Sequence, residues 1–244
     1  SRKASRRIHR HRSIKREGIK LRILTLVFVL ALLLFDTRLM ATQDEDLDNL
    51  LNKIQAKYER INDFSSKFTQ EATVKALNTV QRAQGDVWFK KPGKMRCNYS
   101  KPTKDEIVSN GITIWFYNDE EKQVIESSLS NAVDTATATT LISGLGNLKN
   151  LFDASFSTNH PGKENNVYFI ELSPKANSDE YSSVTIAVDK GSLMVNTIYL
   201  YDPFGNLTTV KLNDVRINNG VPDSLFIFKA PEGVETTKLP TPGG

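Results

Sequence analysis

Apolar residues early in the body of the chain recur at intervals of three and four positions. They are Leu47, Leu50, Leu51, Ile54, Tyr58 and Ile61. This spacing places them on one face of an amphipathic α-helix. From Phe64 the interval changes to two, which is typical of a β-strand with one buried face. The pattern therefore predicts a helix whose apolar stripe packs on a sheet.

Turn residues separate the alternating segments at short intervals. Lys91-Pro92-Gly93-Lys94 predicts a hairpin turn, because Pro and Gly favour the dihedral angles of tight turns. Asn110-Gly111 lies between two apolar runs and is a strong hairpin signal, since both residues tolerate a positive φ. The later strands are expected at Ala154–Ser157, Val167–Leu172, Val184–Val188, Leu193–Tyr201, Leu207–Val215 and Leu225–Lys229.

The stretch 131–146 differs from these strands because it carries little charge and ends in glycines. Its apolar residues include Leu141, Ile142 and Leu145, and we expect a short apolar helix there. An antiparallel sheet of about eleven strands has to protect its edges, and curling into a barrel or half-barrel is the usual solution. We find no internal repeat and no linker. The sequence thus predicts one mainly β domain with two helical inserts.

Residues 1–41 have the composition of an export signal. A basic stretch, 1–22, precedes the apolar run Ile23–Phe35. A helix of that length reaches about 20 Å, less than the ~30 Å hydrocarbon core of a bilayer. A basic stretch, a short apolar core and a small residue, Ala41, are the parts of a signal peptide. An uncleaved membrane anchor and a nucleic-acid-binding arm are the alternatives, and the short run followed by Ala41 favours export.

The positive charge of the chain is concentrated in this segment. The whole chain has 32 Lys and Arg against 28 Asp and Glu, a net charge of +4. Residues 1–41 hold 11 of the basic and two of the acidic residues, so the remainder carries 21 against 26. A mildly acidic body favours neither nucleic acid nor an anionic membrane as a partner on charge grounds.

The chain has too few cysteine and histidine residues for most metal sites and for most nucleophilic catalytic sites. Cys97 is the single cysteine, so no intramolecular disulfide can form and we expect a buried, inert thiol. His160 is the one histidine after residue 41, and we expect a solvated loop residue there. HExxH, CxxC and Walker motifs are absent, so we expect no metal site and no cofactor. A hydrolase with a carboxylate pair stays open, and nothing in the sequence favours it.

Several short motifs follow one another in a particular order from residue 64 onward. They are Phe64-Ser-Ser-Lys-Phe-Thr-Gln70, Gly85-Asp-Val-Trp-Phe-Lys-Lys-Pro92, Gly93-Lys-Met-Arg96, Ile107-Val-Ser-Asn-Gly111, Leu172-Ser-Pro-Lys175 and Phe226-Ile-Phe-Lys-Ala-Pro-Glu-Gly-Val234. In this order and spacing they resemble the LolA family of periplasmic outer-membrane lipoprotein carrier proteins. We assign residues 42–235 to a carrier domain and expect the tail 236–244 to be disordered.

The resemblance implies a fold and a function. The fold is an incomplete antiparallel β-barrel with helices that form a lid over an apolar cavity. The implied protein is not an enzyme but a periplasmic chaperone, which we expect to be a monomer. It accepts acylated lipoproteins from the inner-membrane LolCDE transporter and delivers them to the outer-membrane receptor LolB.

The resemblance also implies which residues form the site. Lys91 falls on a cationic position that ties the barrel to the lid and helps to govern its opening, where better-known members have Arg. Lys cannot make the planar fork of hydrogen bonds that Arg makes, so we expect different gating. The implied acyl-chain cavity is lined by Phe64, Phe68, Val87, Phe89, Met95, Cys97, Leu141, Ile142 and Leu145. Ordinary core packing is the alternative role for each of these apolar residues.

Three other functions compete with the carrier. The receptor LolB shares the fold but is itself a lipoprotein, and the absence of a cysteine near Ala41 favours the soluble carrier. A lipoprotein-sensing or other lipid-binding protein of the same fold, such as part of an RseB-like stress regulator, is expected to have a second domain after residue 244. An envelope hydrolase would depend on His160 or a carboxylate for turnover.

Overall fold

A computed structural model describes residues 46–132, 147–175 and 181–239. Backbone contacts divide the chain into units 1–49 and 50–244, and of the first unit only residues 46–49 are described. Helix α1 spans 46–59, so the helix predicted from the apolar stripe is confirmed. It ends before Ile61, which lies in the connection to the sheet. No helix among the described residues combines the length and the apolar character that a membrane span requires.

The described residues contain twelve strands in one sheet. The strands are β1 (Asp63–Val74), β2 (Thr79–Lys90), β3 (Lys94–Lys101), β4 (Glu106–Asn110), β5 (Thr113–Asn118), β6 (Gln123–Ser128), β7 (Phe152–Phe156), β8 (Val167–Pro174), β9 (Ser183–Asp189), β10 (Val195–Tyr201), β11 (Leu207–Ile217) and β12 (Glu235–Lys238). Two short helices, α2 (Leu129–Ala132) and α3 (Leu148–Leu151), and 3₁₀ turns at Lys75–Leu77 and Asp223–Phe226 complete the described elements.

The sheet is open rather than closed into a barrel. Its strand order is β12-β6-β5-β4-β3-β2-β1-β11-β10-β9-β8-β7, so β12 and β7 are its edges. Every neighbouring pair is antiparallel except β12 with β6. The predicted mainly β fold with an incomplete antiparallel barrel is therefore confirmed, with twelve described strands instead of about eleven. The predicted helix within 131–146 lies largely outside the described residues.

The C-terminal part of the chain differs from the sequence prediction. The strand expected at Leu225–Lys229 is not formed, and a 3₁₀ turn, Asp223–Phe226, takes its place. Phe226 is buried there, so its apolar signal reflects burial rather than sheet pairing. The tail predicted to be disordered begins inside β12, which pairs with β6 and whose Lys238 contacts Glu126. Residues 240–244 lie outside the described part.

The strands β1, β2 and β3 bury one face on which aromatic and apolar side chains meet across the strands. Phe68 stands opposite Gly85, which stands opposite Tyr99, and the Phe68 and Tyr99 rings meet edge to face with centroids 5.1 Å apart. A Cβ atom at Gly85 would lie 2.8 Å from the Phe68 ring and 2.1 Å from the backbone oxygen of Asn98. The lack of a side chain at Gly85 therefore provides the space that the Phe68 and Tyr99 rings occupy.

The opposite face of β3 to β6 is covered by the segment that follows β11. Val108 and Val124 are completely buried on that face. Trp115 stacks on Phe228 with ring centroids 5.7 Å apart, and Arg96 donates a hydrogen bond to the backbone oxygen of Leu225. This half of the sheet is therefore buried on both faces, which explains why its strands alternate less cleanly than those of a half-exposed sheet.

Candidate apolar binding site and its latch

Six of the predicted cavity residues lie together on one face of β1, β2 and β3. Phe64 stands opposite Phe89 and Phe89 opposite Met95, while Val87 stands opposite Cys97 in the next row. All six, including Phe68, are at most 9% exposed. The other three predicted residues, Leu141, Ile142 and Leu145, lie outside the described part of the chain. The role of these residues as a cavity lining stays a prediction.

A small cavity lies between the end of α1 and this face. Its volume is about 90 Å³, and its lining includes Tyr58, Ile61, Phe64, Phe89 and Lys91. The Phe64 and Phe89 rings stack with centroids 5.0 Å apart. Pockets that enclose small organic ligands typically have volumes of about 300–1,000 Å³. An acyl chain would therefore need α1 and these rings to move apart before it could enter here.

Lys91 connects the turn between β2 and β3 to the C-terminal end of α1. Its Nζ donates hydrogen bonds to the backbone oxygens of Tyr58 and Glu59, each at 2.9 Å. The last carbonyls of a helix have no partner within the helix and carry the negative end of its dipole. The ammonium group thus makes two carbonyl contacts at once, although it lacks the planar fork of Arg. Whether these contacts govern opening stays a prediction.

Asn218 also holds this end of α1, and the sequence analysis did not propose it as a site residue. Its Nδ2 donates to the backbone oxygen of Arg60 at 3.2 Å, and its Oδ1 accepts a hydrogen bond from the backbone N–H of Asn62 at 2.7 Å. Asn218 has a positive φ of 50°, which Asn adopts more readily than most residues. We call Lys91 and Asn218, with the carbonyls of residues 58–60, the latch.

Tyr58 joins the apolar stripe of α1 to strand β10. Its hydroxyl oxygen accepts a hydrogen bond from the backbone N–H of Val195 at 2.9 Å. Burial raises the pKa of Tyr58 to about 12, so the phenol stays neutral. The sequence interpretation counted Tyr58 only as an apolar position. The hydroxyl group of Tyr58 could have indicated such a contact, because a buried tyrosine usually needs a hydrogen-bond partner.

Cys97 is buried among apolar neighbours, as expected from the sequence. Burial raises the pKa of its thiol to about 12, which keeps the sulfur protonated and unreactive. His160 differs from the expected solvated residue, because its ring stacks on Phe169 with centroids 3.4 Å apart. Within 46–132, 147–175 and 181–239, no group of three or more His, Cys, Asp or Glu side chains could hold a metal ion.

Comparisons with known proteins show which family the sequence matches. Residues 59–229 match the family model described as outer membrane lipoprotein carrier protein LolA. An outer-membrane lipoprotein carrier protein from Nitrosospira multiformis is 31% identical over 168 residues, which cover 69% of this chain and 78% of that protein. The protein of the same name from Nitrosomonas europaea is 25% identical over 215 residues, covering 88% of this chain and 98% of the relative.

A solved structure from Thermus thermophilus, of an uncharacterized conserved protein, has a similar fold. Its TM-score is 0.51 at 10% identity, over 80% of this chain and 99% of that chain. The family match begins at Glu59, in the latch, and runs through β1–β11 to Lys229. From this match and the carrier relatives we conclude that the chain belongs to the LolA family of outer membrane lipoprotein carrier proteins.

Proposed function

We propose that this protein carries acylated lipoproteins across the periplasm and shields their acyl chains on the face of β1 to β3. It receives them from the inner-membrane LolCDE transporter and passes them to the outer-membrane receptor LolB. Each methylene group buried from water contributes about 0.8 kcal/mol, so free acyl chains need such a shield. The protein acts by binding and release and catalyses no reaction. Residues 1–41 serve as the export signal that brings the chain to the periplasm.

The observation that supports this proposal best is the way α1 is held over the apolar face. The described contacts include the latch, the Tyr58–Val195 hydrogen bond and buried side chains such as Ile54. The single cysteine leaves no disulfide that could fix the helix in place. A helix held by a few hydrogen bonds and by apolar packing can be displaced by a ligand that offers comparable apolar contact.

Lys91 acts as the gate in this proposal. A hydrogen bond with a charged partner contributes about 1.5–3 kcal/mol when it is protected from water, and less where water competes. Lys91 is exposed, so its two bonds hold α1 closed only by an amount that acyl-chain binding overcomes. A carrier has to release its cargo, and a weak closing force of this kind favours release as well as loading.

Lipoprotein release from inner-membrane vesicles tests the proposed function. Vesicles that contain LolCDE and a labelled lipoprotein are incubated with ATP and with this protein, and soluble lipoprotein is measured. We expect soluble complexes that require both ATP and the added protein. A known carrier shows that the transporter is active, and omission of ATP gives the background. If the known carrier releases lipoprotein and this protein does not, the transport role is wrong and a sensing role or another apolar ligand replaces it.

A further inference from the structure

Two hairpin tips lie side by side at the end of the sheet away from the latch. One is the segment 75–80, which comprises the turn after β1 and the first two residues of β2, and the other is the segment 202–206 between β10 and β11. The backbone N–H of Lys75 donates a hydrogen bond to Oδ1 of Asn206 at 2.9 Å. This bond joins the two segments, which we call the paired tips, so that they present one surface.

The paired tips expose large apolar side chains to solvent. Phe204 is 86% exposed, Leu77 is 71% exposed and Val80 is 45% exposed. A single exposed apolar residue is ordinary on a protein surface, whereas several together indicate a surface that contacts an apolar partner. Neither tip contributes to the buried face of β1 to β3, so packing of that face does not explain these residues.

The turn that carries Phe204 is held rigid by its own hydrogen bonds. The Asp202 carboxylate accepts hydrogen bonds from the backbone N–H groups of Phe204 and Asn206 at 2.9 and 2.8 Å, and from Nδ2 of Asn206 at 2.7 Å. A turn that is already ordered loses little conformational entropy on binding. The arrangement therefore presents Phe204 to a partner at low cost.

The charge of the paired tips is unlike that of the acidic body. Lys75 and Asp202 are their only ionisable side chains, and the Asp202 carboxylate is engaged within its own turn. The two charges cancel, so the paired tips carry no net charge beside their three exposed apolar side chains, Leu77, Val80 and Phe204. Aromatic and aliphatic side chains flanked by lysine suit a bilayer interface, where the apolar groups enter the acyl boundary and the ammonium meets lipid phosphates.

We propose that the paired tips insert into the interface of a lipid bilayer, with Leu77 and Phe204 as the two inserted side chains. This membrane contact is separate from the proposed acyl-chain site, because it uses the other end of β1 and β2. It keeps the carrier briefly at a membrane surface, and the acidic body limits how long it stays there by repelling anionic lipid.

Site-specific fluorescence tests this proposal on protein recovered from the periplasmic fraction. An environment-sensitive fluorophore is attached at Leu77→Cys or Phe204→Cys, and the buried thiol of Cys97 does not compete for it. Ile112→Cys is the matched control, because Ile112 is 77% exposed in the turn between β4 and β5. Emission and quenching by an aqueous quencher are measured with vesicles of phosphatidylethanolamine and phosphatidylglycerol, without lipoprotein or transporter.

We expect a blue shift and several-fold protection from the quencher at both tip positions, and neither at Ile112. Adding Phe204→Ser to the Leu77→Cys protein should weaken vesicle affinity about tenfold, because one inserted side chain is lost. Absence of protection at both tips, or equal protection at Ile112, would overturn the proposal. A second set of vesicles contains LolCDE, and protection that occurs only in that set would also overturn the proposal, since the tips would then dock on protein. None of these outcomes depends on lipoprotein transport.

Discussion

Replacing Lys91 by Met should loosen the end of α1 without disturbing the sheet. The substitution removes the ammonium group and keeps a long apolar stem over the cavity. Two hydrogen bonds to the carbonyls of Tyr58 and Glu59 are lost. A cation at a helix C-terminus typically contributes about 0.3–1 kcal/mol, and up to ~2 kcal/mol when partly buried. Because Lys91 is exposed and Asn218 still holds Arg60, we expect a loss near 1 kcal/mol.

A loss of that size shifts the equilibrium between closed and open forms about fivefold. Hydrogen exchange of the amides in 54–61 should accelerate by that factor, because opening exposes them. The apparent affinity for a fluorescent acyl probe should rise by a similar factor if only the open form binds it. Lys91→Arg, which restores a cation at the same place, should return both values towards those of the unaltered protein.

Lys94→Met is the matched control for this experiment. Lys94 lies in the same hairpin, but its ammonium contacts Asp223 at 2.8 Å and makes no described contact with α1. An exposed ion pair of this kind contributes only about 0–1 kcal/mol. We therefore expect unchanged exchange in 54–61 for Lys94→Met. If Lys91→Met leaves both exchange and probe affinity unchanged as well, the reasoning about the latch is wrong.

Three further substitutions or conditions test the packing around the site. Gly85→Ala should reduce the free energy of unfolding by roughly 2 kcal/mol or more, measured by urea denaturation, because its Cβ would collide with the backbone oxygen of Asn98; an unchanged midpoint would contradict this close approach. Tyr58→Phe should cost about 1–3 kcal/mol in the same assay, since the N–H of Val195 loses its buried acceptor. The pKa of the Cys97 thiol is raised to about 12, so the folded state holds this proton more tightly than the unfolded state. The resulting contribution to stability is present below about pH 9 and is lost as the pH rises towards 12. A thiol reagent at pH 8 should accordingly modify Cys97 only as fast as the protein opens, and rapid labelling of the folded protein would disprove its burial.

The local parts of the fold could be predicted from the sequence because neighbouring residues encode them. The spacing of Leu50, Leu51 and Ile54 fixed the face of α1, and Asn110-Gly111 marked a hairpin that the structure contains. Alternation from Phe64 onward likewise predicted a strand with one buried face, and Phe64 and Phe68 are buried in β1. These signals depend on periods of two and of 3.6 residues, which need no knowledge of distant strands.

Contacts between distant segments were not predictable in the same way. Tyr58 meets Val195 across 137 positions, and Asn218 meets Arg60 across 158. The family resemblance pointed to Lys91, but its partner carbonyls at the end of α1 became known only from the structure. The segment around Phe226 was misjudged because an apolar run can be buried without joining a sheet. Side chains of distant segments that cap a helix leave no mark in the sequence of that helix.

The pairing of β12 with β6 has a consequence for the order in which the strands pair during folding. Glu235 stands beside Gln123, so more than a hundred residues separate the two strands. Closing a loop of that length costs about 4 kcal/mol of chain entropy, and the four residues of β12 are all exposed and offer little burial in return. β12 should therefore pair with β6 last, after the other strands have formed the sheet. Until then β6 presents a row of amides and carbonyls without β12, and a chain that is still folding remains open to pairing with another chain along that edge.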